Sequence, residues 1–283
     1  MVDLDSRRGF LRGVGVVGAG VLLGGVGEGN VGGGSKGKPQ KDLRLGLASY
    51  TLRKFKVEQA ISMTGRVRLK NVCFKSMHLP LNSSDEHIAK VVAAVKKAKL
   101  NLYGCGVVYM KSEADVNRAF EYARAAGMKV IVGVPKYELL GLVEKKVIEY
   151  DIKVAIHNHG PGDKVYPTGG SVWEKVKGLD KRIGLCLDIG HSKRIGEDPV
   201  EAIEKYASRL HDVHIKDVSE ASKKGHTVEI GRGVIDIVKV IRTLLSVRYK
   251  GVVAFEYEKG GKDPLAGLAE SVGYVRGVIA GVW

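Results

Sequence analysis

Cysteine is scarce in this chain and poorly placed for chemistry. The three cysteines, Cys73, Cys105 and Cys186, lie far apart, each in an apolar, strand-like run. None forms a CxxC pair of the metal-binding kind, and an odd count does not build a disulfide framework. Buried free thiols are the reading that remains. Acidic residues are also in short supply, 31 against 46 Lys and Arg, for a net charge of +15. The first 41 residues hold six of the cations and three of the acids, so +12 stays with the remainder. Yet there is no dense basic tract, and Lys and Arg are spread through nearly every helical segment, often beside Glu. That pattern reads as a solvated surface without a nucleic-acid partner. The Gly-rich stretch from Val14 to Val26 is too short for a comfortable membrane span, which takes ~20 apolar residues. With 44% apolar and 27% charged residues, the 283-residue chain is globular rather than disordered.

Ser6-Arg7-Arg8-Gly9-Phe10-Leu11-Arg12 matches the twin-arginine export pattern, with Arg at the last position in place of the usual Lys. Val14–Val26 then suits the apolar region of a signal peptide, and Gly27–Lys41 a Gly/Lys-rich linker. The expected organisation is signal and linker over 1–41 and one folded domain over 42–283, exported to the periplasm or another extracytoplasmic space. No clean A-x-A cleavage site is present, so an uncleaved signal is the one route to a membrane.

From Leu43 onward, strand-like runs alternate with amphipathic segments eight times. The runs cover 43–50, 71–79, 100–110, 129–135, 153–159, 183–191, 210–217 and 251–258. Ile88, Val91, Val92, Val95 and Ala98 mark one helical face; Val116, Ala119, Phe120 and Ala123 mark another. Ser83-Ser84-Asp85-Glu86 and Ser112-Glu113-Ala114-Asp115 resemble capping boxes, and Asp198-Pro199 reads as a helix start. Eight βα units in about 240 residues is the arithmetic of a single-domain (β/α)8 barrel, an α/β fold. A doubly wound open sheet would carry a Gly-rich phosphate fingerprint after its first strand, and SYTLRKF is none.

In such a barrel, catalytic residues collect at the carboxyl ends of the strands. Those ends offer Lys75 and His78, then His157, Asn158 and His159, Asp188 and His191, His214, Lys216 and Asp217, and finally Glu256 and Glu258. The period of two puts His157, Asp188, His214 and Glu256 on the inward face, one per strand on strands five to eight. Two imidazoles and two carboxylates suit one divalent ion, Mn, Co, Fe or Zn, while Mg prefers more oxygen. Two carboxylates would neutralise it and leave Lewis acidity for a substrate oxygen. His159 and His191 lie just beyond as partners or proton carriers.

The motifs IHNHG (156–160), CLDIGH (186–191), DVHIKD (212–217), EIGRGVID (229–236) and FEYE (255–258) together resemble the sugar phosphate isomerase/epimerase group of the xylose isomerase-like TIM barrels. The resemblance covers the chain from about Leu43 to Trp283. In relatives that epimerise ketoses, Glu, Asp, His and Glu at the ends of strands five to eight hold the metal, and both Glu move protons. By position these are His157, Asp188, His214 and Glu256, with His157 where Glu is usual. A metal-bound imidazole has no lone pair for proton transfer, so a symmetrical two-carboxylate epimerisation does not map cleanly onto this set. Glu256 is left as base, with Lys75, His191 or Lys216 as acid or oxyanion stabiliser. His78, His159 and Glu258 are expected to line the substrate, and Arg232 to clamp a substrate oxygen or phosphate.

The resemblance thus implies a metal-dependent isomerase or epimerase acting through an enediolate on a small carbohydrate. The alternative is a lyase, as in dehydratases of keto-inositols and lyases of 3-keto-glycosides. Two other classes stay open. An endonuclease IV-like phosphodiesterase would need a three-zinc cluster with about twice as many ligands. A sugar-binding barrel with a decayed site would need no catalysis. Export favours an unphosphorylated keto-sugar, polyol or glycoside, since sugar phosphates are scarce outside the cytoplasm. A homo-oligomer also stays open.

Overall fold

The computed structural model describes residues 42–282, and the twin-arginine motif and the Gly-rich linker lie outside the described residues. Eight parallel strands close into a barrel: Arg44–Ala48, Asn71–Phe74, Asn101–Met110, Val130–Pro135, Lys153–His157, Ile183–Asp188, Leu210–Ile215 and Val252–Phe255. They are called strands one to eight. Each pairs with its sequence neighbours, and the eighth closes on the first through Arg44↔Val252 to Leu47↔Phe255. At least one helix fills every crossover except the eighth-to-first closure, and Leu265–Gly281 ends the fold. This is the (β/α)8 architecture that the eight alternations predict. Among the described residues, no helix is long and apolar enough to cross a membrane.

The helices dock by the faces their periodicity marks. Glu113–Ala125 buries Val116, Ala119, Phe120 and Ala123, and Asp85–Lys97 buries Ile88, Val91 and Val95. Full burial of such a Val, Ile or Phe stabilises by ~1.5–3 kcal/mol. Ala98 departs from the expected face: it is the C-cap residue and is exposed, because the helix ends before it can turn inward. The capping boxes form by half. Ser84 accepts the His87 N–H and Ser112 the Asp115 N–H, but neither third residue reaches back to the cap; Asp115 takes the Lys111 N–H at 3.0 Å instead. Asp198 caps the helix Pro199–Tyr206 as expected.

Two cores result from the alternation. Between strands and helices lies the large apolar shell that includes Phe74, Phe120 and Ile156. Inside the barrel, Ala48, Cys73, Tyr103, Ala155, Cys186 and Ala254 pack against one another. Register aligns the inward residues: His157 lies beside Cys186, Cys186 beside Asp212, and Asp188 beside His214. All three cysteines are buried and free, as expected.

Most strands stop short of their apolar runs, and the reason is local. The sixth ends at Asp188 because the Asp188 carboxylate accepts the His191 N–H at 2.8 Å and starts the helix Ile189–Ile195. His191 therefore stands in a helix rather than on a strand end. After the seventh strand, Asp217–Val218 leaves the barrel to pair antiparallel with Thr227–Val228.

Candidate metal centre and active site

The inward parity of strands five to eight brings His157, Asp188, His214 and Glu256 together at the carboxyl mouth, with donor atoms all within 4.8 Å of one another. Asp188 Oδ2 is 3.5 Å from His157 Nε2, which is 3.0 Å from His214 Nδ1, which in turn is 3.4 Å from Glu256 Oε2. Separations of this size are what ligands on one ion show when each bond is ~2.0–2.2 Å long. All four residues are buried. Two of their ring nitrogens, His157 Nδ1 and His214 Nε2, have no hydrogen-bond partner among the described residues. Buried polar atoms are rarely left so.

Lys216 is an expected strand-end residue whose partners the strand pattern alone does not foreshadow. Its ammonium, buried to 3% exposure, lies 2.9 Å from Asp188 Oδ2, 2.7 Å from Glu256 Oε2 and 2.6 Å from Glu258 Oε1. Two of those oxygens also belong to the four-residue cluster. Three carboxylates against one ammonium leave two negative charges, the complement of a dication. The residues present fit a divalent ion by donor type, spacing and charge.

The electrostatics follow from burial and from these partners. Burial alone would raise Glu256, but Lys216 and then His214 outweigh it and hold the carboxyl well below its usual range. Asp188 is held down in the same way, by Lys216 and then His191 against burial. Burial disfavours the charge on Lys216, yet Asp188, Glu256 and Glu258 keep the amine protonated far above its ordinary value. His157 is pushed well down by burial, against Asp188. Burial also opposes charge on His214, but Glu256 reverses the direction and raises it.

Around this centre, His159 and His191 present their rings: His159 lies 4.4 Å and His191 6.0 Å from the His157 ring, centroid to centroid. His191 Nε2 is 4.0 Å from Asp188 Oδ2 and its Nδ1 has no hydrogen-bond partner among the described residues. His159 is engaged at one nitrogen, 3.1 Å from the Tyr109 hydroxyl, whose ring it stacks on. Lys75 sits over the Tyr50 ring at 5.3 Å, its amine pushed down by burial against the pull of Glu256. Glu258 is half-buried and anchored as the third carboxylate on Lys216.

Two expected substrate contacts have partners of their own in the structure. His78 is 3% exposed, its Nε2–H donates to the Leu52 carbonyl at 3.1 Å, and its Nδ1 lies 2.9 Å from Ser49 Oγ. With both ring nitrogens taken, His78 pins the loop after the first strand and has none left for a ligand. Arg232 is exposed and donates through Nε and Nη2 to both oxygens of Glu270 at 2.6 and 2.9 Å on the closing helix. The loop that carries it is organised by Asp217, whose carboxylate accepts the N–H groups of Val218, Gly231, Gly233 and Ile235.

Asn158 stands at the end of the fifth strand, but strand-end counting assigns it no role. Its Oδ1 accepts the Asp188 N–H at 2.8 Å, while its Nδ2 donates to the Asp188 carbonyl and to Ser192 Oγ. It locks the Asp188 backbone from the fifth strand across. Asp212 lies deeper inside the barrel, where Tyr103 donates to it at 3.0 Å. Burial pushes its carboxyl up to about 7, against the pull of His214.

A parallel eight-stranded barrel with a His/Asp/His/Glu cluster at its carboxyl mouth defines a class, the TIM barrels with a metal-type centre on strands five to eight. The family follows from comparison: residues 56–278 match the model described as "Xylose isomerase-like TIM barrel", and the chain belongs to that family. Among characterised relatives, it is 31% identical over 142 residues to an inosose dehydratase of Klebsiella pneumoniae, covering 44% of this chain and 46% of that one. It is 26% identical over 157 residues to a rhizopine catabolism protein of Rhizobium meliloti, covering 46% and 48%. The chain thus matches about half the length of these relatives. Its fold is similar to that of a 3-keto-D-glucoside 4-epimerase from E. coli, with a TM-score of 0.69 at 16% identity over 83% of this chain and 100% of that one.

Proposed function

We propose that this protein is a divalent-metal-dependent carbohydrate enzyme that enolises a keto-sugar or a related polyol or glycoside. The observation that carries it is the convergence of His157, Asp188, His214 and Glu256 on one buried point of a xylose isomerase-like barrel. Isomerisation, epimerisation and elimination all begin with that enolisation. Relatives bearing the names inosose dehydratase and 3-keto-D-glucoside 4-epimerase support the substrate class. The twin-arginine pattern at residues 6–12 supports export and an unphosphorylated substrate. A three-zinc nuclease loses ground, because among the described residues both metal-type clusters share His157 and His214 and form one site.

His157, Asp188, His214 and Glu256 would hold the ion. When bound, it supplies Lewis acidity to a substrate oxygen. Glu256 takes the proton from the carbon beside the carbonyl. Lys216, held protonated by Asp188, Glu256 and Glu258, spends its three N–H donors on those carboxylates, so it orients them and keeps its own proton. His191, whose Nδ1 has no hydrogen-bond partner among the described residues, is placed to protonate a departing hydroxyl. One carboxylate base and one separate acid suit elimination of water better than epimerisation, which needs a base on each face of the carbon. His157 is what removes the second base, so the lyase is the preferred outcome of the enediolate.

The test is metal content and exchange on the purified full chain. We expect about one transition-metal ion per chain by elemental mass spectrometry, and almost none in Asp188→Ala. In deuterated water, a keto-inositol or 3-keto-glucoside should take up deuterium, with a dehydrated product if the lyase assignment holds and a diastereomer if epimerisation wins. Neither metal nor deuterium uptake, after reconstitution with Mn, Co, Fe and Zn in turn, would sink the proposal and leave a sugar-binding barrel.

A further inference from the structure

The opposite end of the barrel takes no part in this chemistry, yet it concentrates charge. Around the amino ends of the strands lies a hollow of about 620 Å³. Six cations line it, Arg44, Lys129, Lys153, Arg182, Arg248 and Lys250, with a single carboxylate, Asp151. That carboxylate lies 2.9 Å from Arg182 Nε, and Asp180 lies 3.0 Å from Nη1 of the same guanidinium, so Arg182 adds no net positive charge to the mouth. A second hollow shares Arg44 and adds Arg68, Lys70 and Arg276 against Asp42 alone. Together the mouth presents nine cations and two acids. Residues 42–283 hold forty cations and twenty-eight acids, after the first 41 residues are set aside. At that ratio nine cations would bring about six acids, so the imbalance is local to this end. In the wall, burial and then the charge of Lys153 hold His211 down to about 4. Arg44, Lys129 and Lys153 are exposed, as a surface-reading charge should be.

We infer that this amino-terminal mouth docks on an anionic phospholipid surface, with the catalytic mouth facing away from it. Charge complementarity is the first ground. Each Lys or Arg near a negative bilayer adds attraction that salt screens. Covalent connectivity is the second. The first strand starts at Arg44 in this same mouth, so the polypeptide that carries the apolar Val14–Val26 joins the barrel on this side. Anchor or no anchor, the face nearest that junction is the basic one. The inference does not rest on the metal at the other end.

The test uses the full chain and co-sedimentation with vesicles of phosphatidylcholine alone or mixed with phosphatidylglycerol. Any binding through the apolar segment is measured by phosphatidylcholine alone. Arg44→Glu/Lys129→Glu/Lys153→Glu is compared with Lys90→Glu/Lys145→Glu/Lys239→Glu, which makes the same charge change on exposed flank-helix positions. The inference expects phosphatidylglycerol to strengthen wild-type binding in a salt-sensitive way. It also expects the mouth variant to lose at least about tenfold of that gain, while the flank variant keeps it to within about threefold. Equal binding to both vesicles, or equal losses in both variants, would overturn it. Binding to duplex DNA without binding to phosphatidylglycerol would overturn it too, in favour of a nucleic-acid face. Melting curves of both variants exclude misfolding as the cause.

Discussion

The two mouths of the barrel handle charge in opposite ways. At the carboxyl mouth, Asp188, Glu256 and Lys216 are buried and interlocked at 2.7–2.9 Å. At the amino mouth, cations of one sign stand in or near solvent around a hollow. Burial explains the difference. A charge out of water must find its opposite or cost several kcal/mol, so the carboxyl mouth is stoichiometrically matched down to a deficit of two positive charges. Like charges in water are screened and cost little, so the amino mouth tolerates its excess. The lesson concerns interpretation. A matched, buried cluster points to chemistry on a small reactant, and an unmatched, exposed one points to a charged surface.

Substitutions can break or sharpen this contrast. The largest effect is expected from Lys216→Met in metal-free protein, which leaves three carboxylates facing one another. Removing one partner of a buried pair costs ~3–5 kcal/mol, read as a lower urea midpoint, and added Mn or Zn should restore much of it. An unchanged midpoint would mean that the ammonium does not balance the cluster. Asn158→Ala comes next. It strips the Asp188 backbone of buried partners, for a loss of ~1–3 kcal/mol, and metal affinity should fall with it.

A pH effect is smaller. Glu229 accepts from Lys259 at 2.8 Å and from the Tyr257 hydroxyl at 2.7 Å, and these partners lower its carboxyl from the ordinary 4.5 to about 2. A depressed carboxylate adds stability above its unfolded value, and that stability is lost as pH falls from about 4.5 towards 2. Glu229→Gln should therefore melt lower than wild type near neutral pH and converge with it below about pH 2. A constant gap across that range would show that the hydrogen bond, and not the charge, matters.

The smallest effects belong to exposed groups. Arg232→Ala breaks only the exposed pair with Glu270 and should change stability by ~0–1 kcal/mol with turnover unaltered. A large loss of turnover would return Arg232 to the substrate. Lys129→Glu at the amino mouth should shift stability by less than ~0.5 kcal/mol.

Much of the carboxyl mouth was legible in the sequence. Strand parity is a local property with a period of two, so Asp188 and His214 could be placed on one face from their own strands alone. Helix faces read equally well where they were long, as for Val116, Ala119, Phe120 and Ala123. Less legible were the partners of residues whose neighbours lie far away in the chain. His78 looks like a site residue until Ser49 and Leu52 take both its nitrogens. Arg232 looks like a clamp until Glu270, 38 residues on, meets it. Asn158 looks incidental until it proves to hold Asp188 from the next strand.

By itself, the sequence determined the alternation of eight strands with helices, the inward face of each strand and the kinds of donor gathered at their ends. These follow from periods of 2 and 3.6 residues and from the cost of leaving polar groups along a buried run. Only the tertiary structure decided which charges meet. It set one ammonium among three carboxylates and brought nine cations, scattered from Arg44 to Arg276, to a single mouth. Closure of the barrel is the physical reason: it turns positions separated by a whole βα unit into neighbours a few ångströms apart.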